Sequence, residues 1–482
     1  MRVLKCLTTI GLMTALTSLG ACNLAPRYRQ PPPPVPAEYP RQVKGDMPLA
    51  VISELSWQTF FPDETLRYLI RLSLAQNRDL QAAAARIEEA RNTVSVQGSA
   101  LLPQINATAI GGQSLISANS RLPGLDSTPA FYSGTIGANW EIDFWGRLRN
   151  IRETARQQFL ASEEARRALA TSLVEQVART YLADRAYNDR ITLARSTIAT
   201  RTESWRITRR RYEVGAAAKI DATQAEALLH EAEQDLQALE QAREQNLNAL
   251  ALLVGAPVTL PEGSLTFSDS YLTHPLPTGL PSALLTHRPD IMEAERRLVA
   301  MHANIGAARA AFLPRVIVTG AGGTASSDFN ALFGGGSGTW SFLPVVSMPL
   351  FSGFRNLGNL RLAEAERKEA LATYEKTIQS AFRDVADALA ARHWTQGRIK
   401  AEEQELSALQ ERTRLAQRRY VTGYAAYLEV LEAQRDQFSA EQNLVQLHQA
   451  YLNSAVDLYA AVGGGFPENP SAVHETAPRN AP

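Results

Sequence analysis

From Tyr132 to Gly146, in YSGTIGANWEIDFWG, every second residue is apolar or small (Tyr132, Gly134, Ile136, Ala138, Trp140, Ile142, Phe144). The residues between them (Ser133, Thr135, Gly137, Asn139, Glu141, Asp143) are polar or small. A period of two is that of a strand with unlike faces. A second strand precedes it. Ile105, Ala107 and Ala109 alternate with Gln104, Asn106 and Thr108, and a glycine- and serine-rich stretch separates the two runs as a hairpin loop. Upstream the period lengthens. Leu66, Leu69, Ile70, Leu80, Ala84, Ile87 and Val94 stand at helical spacings with no internal proline, which predicts one helix over 64–101, ended by Pro103.

Between about Leu148 and Val214 there is neither proline nor glycine, and Ala, Arg, Glu, Gln and Leu dominate. That predicts a helix roughly 100 Å long, more than a compact globule requires. After a turn at Gly215 a second helix runs to Val254. Its narrow stripe of Leu228, Ala232, Leu236, Leu239, Ala242, Leu247, Leu250 and Val254 is that of coiled-coil packing.

This order is written twice. Residues 77–112 align without a gap on 288–323, matching Asp79 with Asp290, Leu102-Pro103 with Leu313-Pro314, and Gly111-Gly112 with Gly322-Gly323. Further on, RYEVG (211–215) aligns with RYVTG (419–423), and the same offset pairs Gly255 with Gly463. The second half is expected to hold a helix (281–312), strands (315–325 and 339–351), a long helix (356–421) and a return helix (425–462). Its last strand again alternates, with Trp340, Phe342, Val346, Met348 and Leu350 on one face and Thr339, Ser341 and Ser347 on the other.

A half-buried strand of a soluble sandwich also alternates. Here each half supplies only two strands, far too few for a sandwich of usual size. A transmembrane barrel fits better: strands of about ten residues, apolar toward lipid, polar toward a water-filled lumen, aromatic near the interfaces. Trp140, Phe144, Trp145, Trp340 and Phe351 suit outward and belt positions, and Glu141 and Asp143 then face the lumen. A barrel must close to satisfy its edges, so four strands require further copies of the chain.

The N-terminus supports export. Arg2 and Lys5 precede an apolar run, Cys6 to Leu16, too short to span a membrane and followed by small residues. Both cysteines lie at or before position 22, so there is no disulfide framework. Leu19-Gly20-Ala21-Cys22 resembles the lipobox of bacterial lipoproteins, which makes Cys22 a lipidated mature N-terminus and, with Asn23 rather than aspartate following, implies sorting to the outer membrane. The competing reading is an ordinary signal peptide with an incidental cysteine. Residues 26–40, PRYRQPPPPVPAEYP, read as a stiff polyproline-like tether.

Charge adds no partner: 49 basic residues balance 49 acidic ones, giving no field toward nucleic acid or anionic lipid. Arg209-Arg210-Arg211 is one short run on an acid-interleaved helix. The seven histidines are scattered singly, so neither a metal nor a hydrolytic site is expected, and no cofactor. Acid pairs such as Glu88-Glu89 and Glu163-Glu164 read as solvated helix faces. Gly334-Gly335-Gly336 lacks the lysine and following helix of a phosphate loop.

The segments LSWQTFFPDETLRYLIRLSLAQNRDLQAAAARIEEAR (55–91), GLPSALLTHRPDIMEAERRLVAMHANIGAARAAFLP (279–314) and RRYVTGYAAYLEVLEAQR (418–435) resemble the TolC-like outer-membrane efflux factors, lipoprotein branch. The resemblance covers nearly all of the mature chain. It implies an α+β membrane protein: a homotrimer in which twelve strands form an outer-membrane barrel, continued by a periplasmic α-helical barrel. It also implies a periplasmic adaptor and an inner-membrane resistance-nodulation-division (RND) pump as partners, outer-membrane lipid around the barrel, and no enzymatic activity.

The same resemblance places function at the helix tips. Relatives carry aspartates at the aperture where this chain has Glu429 and Glu432, which share one helix face with Leu428 a turn before Glu432. It thus implies Glu429 and Glu432 as cation-attracting gate rings and Leu428 as an apolar constriction. Surface glutamates without a role are the alternative. The first repeat offers Asp221 and Gln224 instead, so the two tips differ. The turns Tyr212 to Gly215 and Tyr420 to Gly423 are the implied adaptor contacts.

The expected map is a signal peptide (1–21), lipidated N-terminus and tether (22–60), first repeat (61–255), connector (256–280), second repeat (281–463) and disordered tail (464–482). The function expected is a passive exit duct for small molecules such as drugs or toxic compounds. A periplasmic coiled-coil scaffold or adaptor lipoprotein, and the outer-membrane component of a type I secretion system, are the alternatives. Met47, Met292, Met301 and Met348 form no cluster, which disfavours dedicated copper or silver export.

Overall fold

The computed structural model describes residues 23–39, 56–117, 119, 128–261, 263–264 and 288–464. The signal peptide, Cys22, connector residues 265–280 and tail residues 465–482 lie outside the described residues. Among the described residues the α-helices and strands follow in this order: α1 (Trp57–Phe60), α2 (Glu64–Gln76), α3 (Arg78–Ser99), β1 (Gln104–Gln113), β2 (Ala130–Ile142), α4 (Arg147–Glu213), α5 (Lys219–Val254), α6 (Pro289–Ala310), β3 (Arg315–Ser326), β4 (Gly338–Ser347), α7 (Arg355–Val421) and α8 (Tyr427–Ala461). The chain divides into two compact units, each drawing on both repeats.

The first unit comprises residues up to Pro32, Ala85–Glu163 and Glu293–Tyr374. It holds one antiparallel four-stranded sheet in the order β1-β2-β3-β4. The register aligns like faces across the sheet. Ala107, Ile136, Gly322 and Trp340 form one row, and Ile105, Ala138, Gly320 and Phe342 the next. On the opposite face Thr108, Thr135, Gly323 and Thr339 align, as do Asn106, Gly137, Ala321 and Ser341. Ile105, Ile136, Trp340 and Phe342 are exposed, and β1 and β4 are exposed along their whole length. The strands end earlier than the alternation alone suggests. β2 stops at Ile142 because Phe144 and Trp145 belong to the turn into α4, and β4 stops at Ser347, two residues before Pro349.

Gly323 is fixed by the sheet's close approach. A Cβ there would lie 2.1 Å from the Gly134 carbonyl oxygen and 2.7 Å from Thr135 Cα, whereas one on neighbouring Gly322 would meet nothing within 4 Å. Gly323→Ala should therefore destabilise the sheet by about 1–3 kcal/mol and Gly322→Ala should not, which thermal unfolding of the two purified variants would distinguish.

Residues 23–30, read as part of a stiff tether, lie against α6. Tyr28 Oη donates to Glu295 at 2.8 Å and its ring meets His302 edge-on, while Arg309 Nη1 donates to the Leu24 carbonyl at 3.3 Å. Gly306 leaves the room this needs: a Cβ there would stand 2.8 Å from Ala25.

The second unit comprises Pro33–Ala84, Glu164–Met292 and residues from Glu375 onward. Asp63 starts α2 by accepting from the Leu66 amide at 2.8 Å. The single helix expected over 64–101 is two helices broken at Asn77, whose ψ of 130° leaves the helical range. The break is stabilised by one side chain. Asn77 Oδ1 accepts from the Asp79 and Leu80 amides at 2.9 and 3.1 Å, capping α3, and its Nδ2 donates to the Leu253 carbonyl at 2.9 Å. Gly255 lets α5 end here: its φ is 79°, and a Cβ would lie 2.6 Å from the Gln76 carbonyl oxygen.

The repeat is visible in lengths and turns. α4 and α7 each have 67 residues, and α5 and α8 have 36 and 35. Gly215 and Gly423 adopt left-handed φ of 74° and 80° and donate to the Tyr212 and Tyr420 carbonyls at 2.9 and 3.0 Å. Two buried clusters join elements of both repeats. Ala225, Ala416, Tyr427, Val430, Leu431 and Ala433 pack with Trp205, Leu228 and Tyr420 beside them, and Ile191, Ala194, Leu239 and Phe438 form the other.

Candidate functional site

Two places carry the residues singled out from the sequence. The first is the end of β2 in the first unit. Strand parity sets Glu141 on the polar face with Asn139, and its carboxylate accepts from Arg147 Nε at 3.0 Å and Nη2 at 2.8 Å. Asp143 accepts from the Arg149 amide at 2.9 Å and from Arg149 Nε at 3.3 Å, so it caps the first turn of α4. Both acids have structural partners six residues on. The indoles nearby are anchored too: Trp140 Nε1 donates to the Leu101 carbonyl at 3.0 Å and Trp145 Nε1 to that of Pro314 at 2.8 Å.

The second place is the α7–α8 hairpin in the second unit. The sequence dictates the hairpin: Gly423 supplies the left-handed turn, and the apolar Tyr427, Val430 and Leu431 bury one side of α8, leaving Leu428, Glu429 and Glu432 on its outer side. Leu428 is 46% exposed. Glu429 lies 3.0 Å from Arg419 Nη1, and Glu432 lies 4.0 Å from Arg412 Nη2, while Arg412 Nη1 reaches Asp436 at 2.7 Å. Spacing along one helix could not reveal Arg412, Arg419 or Asp436 as members of this group, because the pairs form between helices. The signal that was present is the run Arg418-Arg419 in the last turn of α7, facing Glu429 in the first turn of α8.

The turn tyrosines differ despite equivalent sequence. Tyr212 is 43% exposed. Tyr420 turns toward Tyr427, with ring centroids 4.9 Å apart, and the Arg211 guanidinium stands 4.9 Å over its ring. Burial pushes the Tyr420 and Tyr427 hydroxyls above the ordinary tyrosine range. Val214, Ile220, Val421 and Tyr424 leave an exposed apolar rim around the two turns. Between α7 and α8 a groove of about 700 Å³ is lined by Glu402, Glu405, Leu409, Arg412 and Asp436.

Among the described residues no three His, Cys, Asp or Glu side chains are grouped to hold a metal ion, and no helix is long and apolar enough to cross a membrane. Cys22, the expected lipid site, lies outside the described residues.

The family model described as "Outer membrane efflux protein" matches residues 69–256 and 280–464. The cation efflux system protein CusC of Escherichia coli strain CFT073 is 37% identical over 450 residues, covering 93% of this chain and 97% of that protein. The probable efflux pump outer membrane protein TtgC of Pseudomonas putida KT2440 is 37% identical over 480 residues, covering 98% and 99%. Among solved structures, a CusC chain superposes with a TM-score of 0.84 at 36% identity, over 92% of this chain and all of the other. The fold thus recurs in a solved structure of one such relative. The chain belongs to the outer membrane efflux protein family and is an efflux component of the outer membrane.

Proposed function

We propose that three copies of the chain close a twelve-stranded barrel in the outer membrane and continue it as a helical tunnel through which small molecules leave. The observation that carries this reading is the sheet itself. Its rows of Ile, Ala, Trp and Phe lie opposite rows of Thr, Asn and Ser, and β1 and β4 have edges that pair with no strand among the described residues. An apolar face requires lipid, and open edges require other copies. A scaffold with a soluble sheet would have no use for either. Structural neighbours described as a transmembrane channel and an outer membrane channel support a pore.

Cys22 carries the lipid in this reading, and energy comes from an inner-membrane RND pump linked by a periplasmic adaptor docking at Tyr212 to Gly215 and Tyr420 to Gly423. Glu429, Glu432 and Leu428 form the closed aperture. Relatives at similar identity are named for cations (CusC), toluene (TtgC) and antibiotics (ArpC), so the likeness singles out no cargo. That suits a duct whose partner selects.

Planar-bilayer recording tests the reading. The wild-type protein should insert as small, discrete conductance steps, and the combined Leu428→Ala, Glu429→Ala, Glu432→Ala variant should give steps several-fold larger, since a constriction dominates the series resistance of a pore. Failure of the purified lipoprotein to insert would sink the barrel and return the scaffold. Insertion with unchanged steps would keep the barrel and move the aperture elsewhere.

A further inference from the structure

We propose that Arg419 and Arg412 determine the charge preference of the tip aperture, a role that rests on reading Glu429 and Glu432 as aperture groups. An acidic ring attracts cations in proportion to its net charge, not to the number of its carboxylates. Here the carboxylates are not alone. Arg419, in the last turn of α7, reaches Glu429 at 3.0 Å, and Arg412, two turns earlier, sits between Glu432 at 4.0 Å and Asp436 at 2.7 Å. Glu432 and Asp436 are four residues apart and so share a face of α8, which is why one guanidinium serves both.

With Arg435 3.6 Å from the other oxygen of Asp436, the group holds three carboxylates and three guanidiniums, a net charge of zero per chain in place of the −3 its acids alone would give. At physiological salt the screening length is about 8 Å, longer than any of these pair distances. A passing ion feels the sum of each pair. The rest of the hairpin does not restore negative charge: residues 411–436 contain five arginines and four carboxylates. Cation attraction, read from the glutamates alone, is thus cut by arginines of the same hairpin. All six side chains are between one-third and three-fifths exposed, so they meet the solvent through which ions move.

Removing either guanidinium changes the group from neutral to −1, a negative charge that three copies repeat around the ring. The experiment is the reversal potential of inserted channels under a potassium chloride gradient, for wild type, Arg419→Gln, Arg412→Gln, Arg419→Lys and Glu429→Gln. Only inserted channels are read, so misfolded protein contributes nothing. Either Arg→Gln variant should raise the cation-over-anion permeability ratio about two-fold or more. Arg419→Lys should keep the wild-type ratio because it keeps the charge, and Glu429→Gln should lower it. If the Arg→Gln channels keep the wild-type ratio while Glu429→Gln shifts it, the aperture stands and the arginines only fasten the hairpin, which overturns the proposal. If no variant moves the ratio, Glu429 is not at the narrowest point and both readings fail together. An Arg→Gln effect that Arg419→Lys reproduces would make the fork geometry, not the charge, responsible, and would also overturn it.

Discussion

Arg288→Leu is expected to cost about 3 kcal/mol, the low end for breaking a buried ion pair. It removes the counter-charge of Asp290 and one of two from Asp384, which keeps Arg383 at 2.8 Å, and both carboxylates are about one-third exposed. Arg288 donates through Nη2 to Asp290 at 2.7 Å and to Asp384 at 3.3 Å, and through Nη1 to the Ala461 carbonyl at 2.9 Å. Burial opposes its charge, but the two aspartates outweigh burial and hold its proton more firmly than usual. One side chain thus joins α6, α7 and the end of α8. The sequence repeat explains why it is there. Arg288 aligns with Asn77, and Ala461 with Leu253, whose carbonyl Asn77 holds at 2.9 Å. In both repeats the residue just before a helix clasps the end of the returning one, with an amide in the first and a guanidinium in the second. Asn77→Ala, which removes one of two donors to that carbonyl (Ser73 Oγ, at 2.8 Å, is the other) and uncaps α3 without stranding a charge, should cost less, about 1–2 kcal/mol. Thermal midpoints of the helical signal in detergent would rank the two. An Arg288→Leu loss no greater than that of Asn77→Ala would mean that water serves the carboxylates as well as the guanidinium does.

These clasps mark where sequence reading ends. Period-two alternation located β1, β2 and β4, and absence of proline and glycine located α4, since each is a local signal of backbone and burial; β3 and α7, which contains Gly358 and Gly397, were placed by the internal alignment. Gly215 and Gly423 were legible for the same reason: a left-handed turn needs what glycine offers. The break at Asn77 was not, because no proline or glycine marks it and it depends on a carbonyl from α5, 176 residues away. The seat of residues 23–30 on α6 was hidden likewise, since a proline-rich composition reports stiffness and not what the chain lies against. At the candidate site the acids were legible and their partners were not. Glu141 and Asp143 promised free lumen charge until Gly146 turned the chain and brought Arg147 and Arg149 back to them. Here a local clue did exist, in two basic residues just past a glycine turn.

Arg243→Leu should be at least as damaging as Arg288→Leu, about 3–5 kcal/mol, and by a cleaner route. Asp184 on α4 is fully buried, with 0% of its side chain exposed, and Arg243 on α5 holds one oxygen at 2.9 Å while Asn188 holds the other at 3.3 Å. With the guanidinium gone, Asn188 alone faces a carboxylate that water does not reach. Asp184→Asn in the same chain removes the stranded charge, so the double variant should recover most of the loss and stand near Asp184→Asn alone. That recovery is the informative quantity, because leucine can replace the packing of the arginine stem but not its charge. A coupling of about 2 kcal/mol or more between the two sites would assign the cost to a buried charge. Additive losses would instead assign it to packing between α4 and α5, the helices that carry the first-repeat turn. The turn itself should respond in step: loosening this pair frees the Tyr212–Gly215 end of the hairpin, so protease cleavage after the exposed Arg209 and Arg210 should accelerate in Arg243→Leu and return toward the wild-type rate in the double variant.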